Sequence, residues 1–109
     1  LKRGEIWTAS GDAEYARKPR SVVIVQNGNF DTLDSVTICG VTSDPTDLPL
    51  FRILIEPTAL NGLQSPSRIM VDKVLTIRKN RLGYRIGHLS EQDLKRLDRT
   101  IATFLGLSD

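Results

Sequence analysis

Apolar positions fall along this chain in short bursts separated by polar or Gly/Pro-containing stretches, a rhythm that predicts strands rather than long helices. Residues 4–8 (Gly-Glu-Ile-Trp-Thr) read as a first strand. Residues 21–26 carry Val22, Val23, Ile24 and Val25 without alternation. An unbroken β-branched run suits a strand covered on both faces. Residues 36–42 alternate well enough for a third strand, and residues 51–55 form a fourth, stopped by Glu56-Pro57. Residues 68–71 and 74–77 give one or two more, with Asp72-Lys73 as a bend or bulge between them. Asn27-Gly28-Asn29 is turn chemistry, and residues 43–47 and the stretch from Asn61-Gly62 to Pro66 are loops. Residues 9–19 make a polar loop, long for a hairpin connection. The basic segment with Arg78, Lys79, Arg81 and Arg85 is punctuated by Gly83 and Gly87 and is assigned no strand.

The chain ends differently. Ser90 is an N-cap candidate with Asp93 three residues on, and Leu89 and Leu94 are placed as a hydrophobic staple. Leu94, Leu97, Ile101, Phe104 and Leu105 repeat at helical spacing, and Gly106 suits a C-terminal cap. Several short strands followed by one helix predict a mainly β domain: a small antiparallel barrel with a helix packed on it.

With 109 residues, the chain is long enough for one core and is read as a single domain, 1–109. A net charge of +2 permits a polyanionic partner but falls short of the bias of a DNA-coating protein. The single cysteine, Cys39, sits among apolar neighbours and reads as a small buried hydrophobe in a reducing compartment. No apolar stretch is long enough to span a membrane or form a secretory core, so the expectation is a cytoplasmic protein. One cysteine and one histidine, far apart, give no zinc pattern, and no P-loop or nucleophile elbow appears, so no metal or cofactor is expected.

Arg20 stands at the entrance to the second strand, on a rigid support. Its planar fork of donors matches phosphate oxygens. Taken alone, it reads better as a solvated residue ahead of a core strand. Five segments in order change that balance. They are Arg3-Gly4-Glu5-Ile6-Trp7, Arg20-Ser21-Val22-Val23-Ile24-Val25-Gln26-Asn27, residues 37–43, residues 67–77 with Asp72-Lys73 at their centre, and Gly87-His88-Leu89-Ser90 before the helix. Together they resemble the MazF/PemK family of toxin endoribonucleases over nearly the whole chain.

The resemblance implies an SH3-like barrel of the MazF/CcdB/PemK type that forms a homodimer. It implies cleavage of single-stranded RNA at short motifs without a metal, and a MazE-like antitoxin that blocks the RNA groove. The family's catalytic arginine falls on Arg20 and its catalytic threonine on Thr42. One position departs from the pattern: Ser21 follows Arg20 where the family usually has proline, so the backbone restraint a proline would impose is missing.

RNA carries its own nucleophile, the 2′-hydroxyl. In-line attack leaves a 2′,3′-cyclic phosphate and a 5′-hydroxyl. Arg20 suits charge stabilisation, since a guanidinium with a pKa above about 12 is a poor base. Thr42 offers a hydroxyl to a phosphate oxygen or to the 2′-hydroxyl, although threonine is common in strands for packing reasons alone. Glu14 and Asp44, in the flanking loops, are the two candidate acid–base carboxylates; taken singly, each reads better as an exposed loop charge. Arg17, Lys18, Ser43 and Lys73 are assigned to RNA binding, as is Tyr15, which either stacks on a base or packs on its own barrel. His88 reads as structural. Lys95, Arg96 and Arg99 read as a solvated helix face. Two alternatives remain: a protein-binding poison of the same fold, like the gyrase poison CcdB, and a degenerate homologue that no longer cuts.

Overall fold

The β-branched run lies at the centre of a six-stranded antiparallel sheet. The computed structural model describes residues 1–10 and 19–108. Its strands are β1 (Glu5–Ala9), β2 (Arg20–Ile24), β3 (Ser35–Thr42), β4 (Arg52–Ile55), β5 (Ser67–Arg78) and β6 (Leu82–His88), followed by the helix α1 (Glu91–Phe104). The spatial order is β4-β5-β3-β2-β1-β6. β2 is therefore covered on both faces, as its composition predicts. Val23 joins a core with Cys39, Val41, Ile69 and Leu97, while Val22 and Ile24 join a second cluster with Val36 and Ile38 on the opposite face.

The two apolar segments 68–71 and 74–77 belong to one long strand, β5. Cys39 pairs with Val74 and Gly40 with Met70, so Val71, Asp72 and Lys73 bulge out between them. A bulge bends and twists its strand. The near half of β5 thereby pairs with both β3 and β4, and Arg52 of β4 donates two hydrogen bonds to Asp72, at 3.3 and 3.2 Å.

Two expectations are corrected. The basic, glycine-punctuated segment is a strand: β6 pairs with β1, with register shifts that mark irregularity. Its glycines serve close approach instead of a turn. A Cβ at Gly83 would come within 2.3 Å of Thr8 Oγ1, and one at Gly87 within 2.4 Å of the Asn61 carbonyl carbon. The ladder is also open rather than a closed barrel, because β4 and β6 are its two edges. The loop 56–66 occupies the space between them. His88 N–H donates to Leu60 O at 3.0 Å, and Gly62 adopts φ +69° with its Cα side facing Ile86 O.

Asn61 organises that loop and is buried. Its Oδ1 accepts from the N–H groups of Thr58 and Leu63, both at 3.0 Å, and its Nδ2 donates to Glu56 O at 2.9 Å. A buried amide whose oxygen accepts twice and whose nitrogen donates to the loop's own backbone fixes a single loop conformation.

The helix starts and stops where its sequence signals predict. The Asp93 N–H donates to Ser90 Oγ at 3.1 Å. Gly106, at φ +76°, donates to Thr103 O while Leu107 N–H reaches Ala102 O at 2.7 Å, a Schellman closure. Leu94, Leu97 and Ile101 pack on the core, but Phe104 and Leu105 remain about half exposed. No helix among the described residues is long and apolar enough to cross a membrane.

Candidate active site

Arg20 is the first residue of β2 and Thr42 the last of β3. The β2–β3 ladder pairs Val22 with Gly40 and Val23 with Cys39. Beyond these pairs β2 begins at Arg20 and β3 ends at Thr42, so both residues lie at the same end of the two strands. The strands that carry them are anchored by the most buried residues of the molecule, so both side chains rise from rigid backbone at one end of the sheet.

Two clefts meet at this point. One, of about 330 Å³, runs past Thr8, Ser67, Gln64, Tyr84 and Ile86. The other, of about 440 Å³, runs over Ile38, Met70, Lys73, Leu75 and Ile77. Arg20, Ser21, Val41 and Thr42 line both. The guanidinium-bearing residue and the hydroxyl-bearing one thus stand on the divide between two neighbouring depressions.

Thr42 already has one partner. Its Oγ1 accepts the Asp44 N–H at 3.1 Å, fixing the hydroxyl oxygen and the start of the following loop together. That contact uses a lone pair and leaves the O–H as a donor. Asp44 Oδ1 in turn accepts from the Thr46 N–H at 2.9 Å and from Thr46 Oγ1 at 2.7 Å. Those two bonds hold the Asp44 carboxyl below its usual range, with Arg52 and Arg68 adding to the effect. A carboxylate so stabilised in its charged form is a weak proton acceptor. Asp44 lines the larger cleft and organises its loop.

Ser43 lines the smaller cleft and Lys73 the larger, so these two candidates fall on opposite sides of the divide. Glu14, Tyr15, Arg17 and Lys18 lie outside the described residues. Elsewhere, Lys79 pairs with Asp31 at 2.9 Å and Arg85 approaches Glu5 at 3.8 Å, so part of the basic segment is engaged within the fold. His88 Nδ1 lies 3.1 Å from Leu89 O, in keeping with a structural role.

Sequence reasoning missed Thr8, Gln64, Ser65, Ser67 and Tyr84. All five line the smaller cleft. Tyr84 had a usable signal: a lone aromatic inside a basic, glycine-punctuated run is a composition suited to nucleic-acid stacking. Gln64 and Ser65 had none, since they reach the site only through the packing of loop 56–66 against β6.

The profile of a family described as PemK-like, MazF-like toxins of type II toxin–antitoxin systems matches residues 2–105. The chain is 44% identical over 108 residues to a probable endoribonuclease MazF of Mycolicibacterium smegmatis, covering 99% of each. Its fold is similar to that of the Mycobacterium tuberculosis toxin MazF-mt6, with a TM-score of 0.80 and 27% identity over 96% of this chain and 99% of that one. It is also similar to a mycobacterial endoribonuclease solved in complex with its cognate antitoxin, with a TM-score of 0.83 and 19% identity over 100% and 98% of the two chains.

Proposed function

The chain belongs to the family of PemK-like, MazF-like toxins of type II toxin–antitoxin systems, and from that membership we propose that it is an endoribonuclease that cleaves single-stranded RNA. The observation that carries this reading is the placement of Arg20 and Thr42 on the divide between the two clefts. A single strand crossing the divide sets one phosphate at the two side chains and its neighbouring nucleotides in the depressions on either side.

The chemistry follows from those two groups. The 2′-oxygen attacks the adjacent phosphorus, the bond to the 5′-oxygen breaks, and a 2′,3′-cyclic phosphate and a 5′-hydroxyl result. Charge builds on the non-bridging oxygens in the transition state. Arg20 meets it with a planar pair of donors whose position is set by β2 rather than by a flexible tail. The Thr42 O–H donates to the same phosphate or orients the 2′-hydroxyl, its oxygen held by Asp44 N–H. Asp44 serves this scheme by fixing Thr42, and its low proton affinity argues against a role as base.

A protein antitoxin is the partner this reading implies. An acidic segment that orders on binding would match Arg20 and its basic surroundings. Homodimerisation and residence in the cytoplasm belong to the same proposal.

Incubation of the purified protein with a long single-stranded RNA in EDTA, followed by analysis of the fragment ends, tests the proposal. Discrete fragments ending in 2′,3′-cyclic phosphate and 5′-hydroxyl are expected. Intact RNA from a folded protein would shift the reading to a protein-binding toxin.

A further inference from the structure

From the smaller cleft we infer that Tyr84 and Gln64 form a base-recognition site. Tyr84 stacks on a nucleobase beside the cleaved phosphate, and Gln64 reads that base's edge. The inference builds on the ribonuclease reading above and specifies how the same site selects its sequence.

Tyr84 is the only aromatic residue among the described residues lining either cleft. It is 67% exposed, and it lies two positions from Ile86 on β6, so both face the cleft. Its backbone is fixed. The Tyr84 N–H donates to Thr8 Oγ1 at 3.0 Å, and Gly83 passes so close to that oxygen that no side chain fits there. Thr8 pairs with Ser21, the neighbour of Arg20. The aromatic platform and the phosphate-binding arginine are therefore tied through two adjacent rungs of one sheet. An exposed ring on a fixed backbone beside a cationic residue is the arrangement that captures an unstacked base.

Gln64 lines the same cleft. The segment around it is held on both sides: Leu63 N–H donates to Asn61 Oδ1 at 3.0 Å, and Ser67 Oγ donates to Ser65 O at 2.9 Å. No hydrogen bond among the described residues uses the Gln64 amide itself. A loop fixed this firmly presents one acceptor and two donors to the cleft, the set needed to pair with a base edge. The volume, about 330 Å³, is at the small end of ligand-pocket sizes, roughly 300–1,000 Å³, which favours one base over an extended ligand.

Two measurements test this. The first is the affinity of each variant for an oligonucleotide carrying a preferred cleavage motif, made uncleavable by 2′-deoxy substitution at the cleaved position. Tyr84→Ala is expected to weaken binding on the order of ten- to a hundred-fold, and Tyr84→Phe to restore it. The second is the map of cleavage sites on a long RNA. Gln64→Ala is expected to cut at additional sequences, with its rate at the original motif reduced less than its selectivity. Thermal melts matching the parent protein confirm that the variants fold. Undiminished oligonucleotide affinity in Tyr84→Ala, or an unaltered cleavage map in Gln64→Ala, would overturn the inference while leaving the ribonuclease reading intact. A parent protein that leaves every RNA intact, yet binds a mixed-sequence single-stranded RNA more tightly than its Tyr84→Ala variant does, would do the reverse.

Discussion

Gly87 on β6 lies directly against the backbone of Asn61: a Cβ at Gly87 would stand 2.4 Å from the Asn61 carbonyl carbon and 2.5 Å from its oxygen. The contact seats loop 56–66 across the gap between the sheet edges. It sets the height at which Gln64 and Ser65 meet the cleft. Gly87→Ala must push two backbone segments apart, and overpacking of that kind costs about 1–3 kcal/mol. A lowered denaturation midpoint is expected, together with weaker RNA cleavage. An unchanged midpoint would show that the loop yields freely.

Asn61→Ala attacks the same loop from inside. It strands the N–H groups of Thr58 and Leu63 and the carbonyl of Glu56. Each buried group left without a partner costs about 1–3 kcal/mol where water cannot replace it. Chemical denaturation is expected to show a loss larger than that of any surface substitution, and hydrogen exchange should accelerate across 57–63 first. Exchange confined to the termini would contradict the assignment.

The fold and the site were legible to different degrees, and the division has a physical origin. Local signals sufficed where the structure is local: the doubly covered β2, the Asp72-Lys73 bulge, the Ser90 and Gly106 caps. β6 escaped because its glycines look like turn residues, while their purpose, clearance for Thr8 and Asn61, lies more than twenty residues away. Arg20 and Thr42 are assigned through a resemblance, and both line the two clefts at one end of the sheet. Gln64 and Tyr84 share a cleft only because the loop 56–66 docks on β6, and no window of sequence contains that contact.

Arg20→Ala removes the charge that, in the proposed reaction, meets the developing phosphorane. The turnover number is expected to fall roughly 10²–10³-fold, the cost of losing one preorganised electrostatic donor. RNA affinity should change far less. Arg20→Lys keeps the charge without the fork and should recover only part of the loss. Lost affinity with intact turnover would reassign Arg20 to binding.

Thr42→Val and Thr42→Ser separate two roles of one hydroxyl. Valine preserves shape and removes both the donor and the acceptor that Asp44 N–H uses. Serine keeps both. Cleavage should therefore be strongly reduced in Thr42→Val and near normal in Thr42→Ser. Equal activity in the two variants would remove the hydroxyl from the reaction.

Cys39 gives a pH-dependent signature. Burial pushes its thiol from 9.0 up to about 12. The folded protein holds that proton more tightly than the unfolded chain, so the contribution is fully present below pH 9. Stability should decline as pH rises from about 9 toward about 12. In native conditions near neutrality the thiol should resist alkylating reagents, and it should react once denaturant exposes it. Cys39→Ser would place a hydroxyl in the apolar core and flatten the cysteine-linked part of the alkaline slope. Rapid native-state alkylation at neutral pH would contradict this account.

The docked loop has a further consequence for how this molecule meets others. An uncovered strand margin offers a template on which a second chain can extend the sheet. Here the margin along β6 meets Leu60 through His88 N–H, and at the four-residue β4 the Arg96 guanidinium reaches the Leu54 carbonyl at 3.4 Å. Lateral addition of a foreign strand must first displace these groups. Association with another protein, or with a second copy of this chain, is thereby directed away from edge-on growth and toward side-chain surfaces, where recognition depends on shape and charge.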